Sequence, residues 1–146
     1  MNDPTSSARE RRLVVAGIAF AIASAVHIAD HLRRGQGSVS DVLFALGNVA
    51  LVIQVVTVVL IVTHHRLAPI VATTAGFSLA IAFTAAHWLP HWSAASDPVW
   101  KIHSDRWFSY FASSAEIVGA LVVGLAGCVI VRAGLGRLRA GATTGA

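Results

Sequence analysis

Apolar residues run in four long blocks, 13–28, 42–63, 69–88 and 107–131, separated by short polar segments. Within each block the apolar positions are continuous rather than confined to the one-sided stripe of a helix that rests on a soluble core. A bilayer-crossing helix takes ~20 such residues. The last three blocks meet that length, and the first meets it only by running on through His27 and Asp30. The pattern predicts an all-α integral membrane protein, an antiparallel bundle of four transmembrane helices over about 13–33, 42–63, 69–89 and 107–133. These form one domain, 13–139, between a polar N-terminal segment, 1–12, and a flexible Gly/Ala/Thr tail, 140–146.

Composition agrees: 55% of the 146 residues are hydrophobic and 12% charged, with a mean hydropathy of +0.69. A soluble domain of this size has no use for so much apolar surface. The first block does not read as a cleaved signal peptide, because the segment before it is long and polar and no small-x-small cleavage site precedes a soluble domain.

Charge sets the expected orientation. With the N-terminus inside, that side carries Arg9, Arg11, Arg12, Arg66, Arg132, Arg137 and Arg139, against Arg33, Arg34, Lys101 and Arg106 on the other. The excess predicts both termini in the cytoplasm of a multi-pass protein of the cell membrane. The pI near 10.6 is then accounted for by membrane-edge arginines, and no nucleic-acid partner is expected. Asp30, Asp41, Asp97 and Asp105 fall outside, close to the outward Arg and Lys. Trp88, Trp92, Trp100 and Trp107 lie at the same outer boundary, the position of an aromatic belt. The single Cys128 excludes an intrachain disulfide.

Polar residues inside the blocks carry the candidate chemistry, since ionisable groups in hydrocarbon are costly, at roughly 2.5–3.5 kcal/mol each on insertion scales. At ~1.5 Å of rise per residue, His27 and Asn48 each lie ~9 Å below the outer boundary, His87 just under it and Glu116 ~13 Å deep. One polar group from each helix thus reaches a shared layer, as in bundle sites assembled from inward side chains. Glu116 is flanked by Ala112, Ser113, Ala115, Gly119 and Ala120, small residues that suit close helix packing. A carboxylate there is protonated or is matched by a cation, a histidine or a metal.

His27, Asp30 and His31 share one helical face through i, i+3 and i+4 spacing. His87 and His91 repeat the i, i+4 interval, although Pro90 disfavours helix at Leu89. His103 and Asp105 follow in the outer loop. This imidazole and carboxylate set, without thiolate, suits a transition metal such as Zn or Fe and disfavours structural zinc. No stretch such as His-Glu-x-x-His is present. The expected site therefore has metal ligands His27, His31, His87 and His91, catalytic groups Glu116, His27 and Asp30, and supporting residues Asn48, His103 and Asp105. Gln54, near mid-membrane, is expected to bond across helices.

The leading expectation is a metal-dependent or acid–base enzyme acting in the outer leaflet on a lipid-like small molecule. One alternative is a redox subunit holding haem b between His27 and His87. Another is a metal- or proton-handling transport or accessory subunit, assembled as a homo-oligomer or with a membrane-complex partner. Gly17, Ala21, Ser24, Gly76, Ala80, Gly119 and Gly124 would permit such close helix contact.

Overall fold

The computed structural model describes the backbone of residues 4–35, 37–103 and 105–144, and the side chains of 5–35, 37–103 and 105–136. It is all-helical: α1 (Pro4–Arg34), α2 (Asp41–Val62), α3 (Ala68–His87) and α4 (Arg106–Thr144), with a short 3-10 helix at Val99–Lys101. All four α-helices are long and apolar enough to cross a membrane, over Thr5–Arg34, Asp41–Val62, Ala68–His87 and Arg106–Gly136. Two extend beyond the sequence expectation. Helix α1 takes in most of the polar segment 1–12, and α4 runs through 140–144 of the expected flexible tail. Polarity alone does not stop a helix, and neither segment has a proline beyond the first helical turn of α1, where proline is tolerated.

Local signals set the other ends. After Arg34 the chain turns at Gly35, whose φ of 87° is open to glycine and strained for most residues. The Gly35 N–H donates to the carbonyls of His31 and Leu32, which would otherwise be orphaned at the helix end. Ser40 caps α2, its hydroxyl oxygen accepting from the Leu43 N–H at 3.1 Å. The same hydroxyl donates to the Ala94 carbonyl and so ties the start of α2 to the long loop. Pro69 sits in the first turn of α3. Pro90 follows its end, and α3 closes at His87.

Helix α4 is the centre of the packing, with α3 and α1 on it, while α2 touches α1 and α3 more lightly. A Cβ at Gly76 would stand 2.6 Å from the Ala120 carbonyl oxygen and the Gly124 nitrogen. The α3 and α4 backbones are therefore in contact at this point, the close approach that small residues allow within a membrane. Phe20, Ile61, Ala72, Ala120 and Val123 fill the apolar core. From α2, only Gln54, Thr57 and Ile61 are buried.

Candidate functional site

Above the apolar core, four helices turn polar side chains toward one another. On α1, Phe20, Ser24, His27 and Asp30 recur every three or four residues and are all buried, the spacing of one helical face. The next turn adds His31 and Arg34. Helix α3 contributes His87 in its last turn and α4 contributes Glu116, with Gln54 reaching in from α2.

His27, His31 and His87 each offer a ligand atom, and these atoms lie within 4.8 Å of one another. Their rings meet edge to face, with centroids 4.6 Å apart for His27–His31 and 4.8 Å for His27–His87. The hydrogen bonds assign the tautomers of the neutral rings. Arg34 has no acceptor atom, so its Nη2 donates to His31 Nδ1 at 2.8 Å. The proton of His31 is then on Nε2, which donates to His27 Nε2 at 3.0 Å. His27 keeps its own proton on Nδ1, a buried atom with no hydrogen-bond partner. His87 Nδ1 donates to the Asp97 carbonyl at 3.1 Å, leaving the Nε2 lone pair free.

Glu116 lies beside this group. Its Oε2 is 3.6 Å from His27 Nε2 and has no hydrogen-bond partner, while its Oε1 accepts from Gln54 Nε2 at 2.8 Å. The cross-helix bond expected of Gln54 is thus made to the buried carboxylate. Ser24 Oγ, one helical turn from His27, is likewise buried without a partner.

Asp30 is placed differently from the sequence expectation of a catalytic or ligating acid. Although 2% exposed, it faces arginines: Arg33 Nη2 at 2.8 Å from Oδ1 and Arg34 Nε at 3.5 Å from Oδ2. The i+3 and i+4 arginines lie within reach on the same helix and neutralise it. Arg34 also holds Asp97 at 2.6 Å, and Arg33 reaches Asp105 at 3.2 Å. Two guanidiniums are thus shared among three carboxylates, and the long loop is fastened over the histidines through Asp97.

Four further residues expected at the site lie apart from the histidine group. His91 lies in the loop, exposed and bonded to Ser96 Oγ at 3.0 Å, because α3 has already ended and the i, i+4 interval is never helical. Asn48 shares the expected depth but points away: it is exposed, about 120° around α2 from Gln54. His103 is exposed, and Asp105 reaches the group only through Arg33. Sequence reasoning gives no site role to Asp97, and gives Arg34 one only at the edge of the alternative haem pocket. The i, i+3 and i+4 placement of Asp30, Arg33 and Arg34 was a signal for Arg34, whereas nothing in the sequence marks the Asp97 backbone carbonyl as a partner of His87.

The donor set fits a transition metal. Two imidazole nitrogens on a tetrahedral ion with bonds of 2.0–2.1 Å stand about 3.3 Å apart, close to the 3.0 Å between His27 Nε2 and His31 Nε2. His87 has the arrangement usual in metal-ligating histidines, one ring N–H donated to a carbonyl and the other nitrogen free. His31 is the conditional member. Ligation through Nε2 requires its proton to leave or to move to Nδ1, displacing Arg34, which still has Asp30 and Asp97 to hold it.

Comparison of the chain with family models, with curated proteins and with solved structures finds no match.

Proposed function

We propose that this protein is a membrane-embedded, metal-dependent acid–base enzyme acting on a lipid-like substrate. The carrying observation is the meeting of His27, His31 and His87 within 4.8 Å, with the unpartnered Glu116 Oε2 at 3.6 Å from His27. In this reading the helices form an antiparallel four-span bundle in the cell membrane, with cytoplasmic termini and the site in the outer leaflet. Zn or Fe held by the three imidazoles would supply a Lewis acid and a bound water acidic at neutral pH. The remaining work falls to the chain. Glu116 Oε2 accepts and returns the proton, and Gln54 fixes the carboxylate through its other oxygen. The loop held by Arg34–Asp97 limits water from outside.

A lipid-like substrate is supported by the surroundings. The guanidiniums of Arg33 and Arg34 are already engaged by carboxylates, which disfavours an anionic head group there. A shallow apolar groove lined by Ala80, Ile81, Thr84, Leu89, Ile117 and Leu121 lies between α3 and α4, the two helices that carry His87 and Glu116. The close edge-to-face packing of His27 on His87 favours a single ion over a haem plane between them.

Elemental analysis of the purified protein tests the proposal. One transition-metal ion per chain is expected, retained in Glu116→Gln and lost in His87→Ala with helix content preserved. Metal-free wild type that binds neither added Zn nor added Fe would overturn the metal centre. Acid–base chemistry without a metal is favoured in that case by the buried Glu116 Oε2 at 3.6 Å from His27 Nε2, at the inner end of the hydrogen-bonded run Asp97–Arg34–His31–His27.

A further inference from the structure

The most exposed of the four spanning helices is α2, with 17% of its apolar window buried against 39% for α1, 39% for α3 and 28% for α4. An apolar exposed helix face is ordinary in a bilayer and by itself names no partner. Asn48 makes this face different. Its carboxamide is exposed, ~9 Å below the end of the apolar block. Among the described residues it makes one hydrogen bond, Nδ2 donating to Phe44 O of its own helix at 2.8 Å. The Oδ1 acceptor and the second N–H are left for something else, and lipid tails provide no partner.

The positions around Asn48 are spaced for another helix. Ala45, Asn48, Val52, Val55, Val59 and Val62 alternate intervals of three and four residues, the a/d repeat of a left-handed helix pair. All six are exposed, on the side of α2 away from Gln54, Thr57 and Ile61. Ala45, one turn before Asn48 on the same face, keeps the surface low there.

Copies of one chain inserted in the same sense are related by an axis along the membrane normal. A two-fold pairing through α2 therefore sets the helices parallel, with each residue of the seam at the depth of its own equivalent. A carboxamide is self-complementary, one donor and one acceptor facing the same pair reversed. We propose that a second copy of this chain covers the α2 face, with the Asn48 carboxamides of the two copies hydrogen-bonded to each other across the two-fold axis. The pairing is independent of the chemistry at the histidines, and it places the two sites on opposite outer sides of the dimer.

Cysteine cross-linking in membranes, in a Cys128→Ser background, tests the arrangement. Mild oxidation is expected to give covalent dimers from Asn48→Cys, Val52→Cys and Val55→Cys. Leu46→Cys and Ile53→Cys, exposed on α2 but off the seam, are expected to remain monomeric. Asn48→Leu is expected to raise the dimer dissociation constant in lipid by about 3- to 30-fold, the range for a hydrogen bond between membrane helices. A protein that stays monomeric at all protein-to-lipid ratios would overturn the proposal. So would equal cross-linking on and off the seam, or a dissociation constant indifferent to Asn48→Leu.

Discussion

Helices α3 and α4 are held together in two different ways along their length. Through their middle and toward the start of α3, glycine meets backbone: Gly76 lies against Ala120 and Gly124, and Gly127 against Pro69 and Thr73. Around His87 and Glu116 there is no such contact among glycines, and the interface is a cluster of polar side chains from four helices and a loop. The first region draws on dispersion and shape, which membrane helices use in place of hydrophobic exclusion. The second draws on charge and hydrogen bonds in a low-dielectric setting, strong when complete and costly when one partner is missing. The two regions divide the labour. The close-packed part sets the helix positions, and the polar end uses that rigidity to keep donors such as His27 Nδ1 and acceptors such as Glu116 Oε2 unpaired.

The largest effect is expected at the polar end. Asp30→Ala removes the buried carboxylate shared by Arg33 and Arg34, leaving a largely buried guanidinium on Arg34 with less counter-charge. Losing one partner of a buried pair costs about 3–5 kcal/mol. Unfolding by SDS titration of the detergent-solubilised protein should show a loss of this order. A loss below that of Gly76→Ala would show that the polar end contributes less than the close-packed one.

Gly76→Ala comes next. Alanine favours the helix by up to about 1 kcal/mol over glycine, so a change in local propensity alone would stabilise. The Cβ has no room, however, because the atoms it meets at 2.6 Å belong to the α4 backbone and cannot rotate away. Overpacking of this kind costs about 1–3 kcal/mol, and the same SDS titration should register a net loss. A stabilised variant would mean that α3 and α4 are further apart than described, and the contrast between the two regions would fall with it.

Much of this division was legible in the sequence, and the failures are instructive. The four spans follow from block length alone. Depth, counted at a fixed rise per residue, placed His27, His87 and Glu116 in one layer. Depth carries no azimuth, and Asn48 shares their depth while facing the other side of α2. Counting its angle from Gln54 would have separated the two. His87 and His91 satisfied a spacing rule that holds only inside a helix, and Pro90 removes the helix. Asp30 shares a helical face with two histidines, yet the arginines three and four residues on are its nearer partners. The contribution of Asp97 is of another kind. Its carbonyl and carboxylate meet His87 and Arg34 because the long loop folds back over α3, and a loop path of that length is not encoded in local spacing.

The smallest effect is expected within the polar end itself. Asp105 bonds the same Arg33 that holds Asp30, at 3.2 Å, yet its side chain is 70% exposed where that of Asp30 is 2% exposed. Water screens the outer pair, and exposed pairs contribute about 0–1 kcal/mol. Asp105→Ala is therefore expected to shift the SDS midpoint little, and the residual shift should shrink further in high salt. Arg33 retains Asp30 in that variant, so no buried charge is stranded. A large, salt-insensitive loss would mean that Asp105 is shielded from water, which would make the loop above the histidines a closed cover rather than a wet rim held at Asp97.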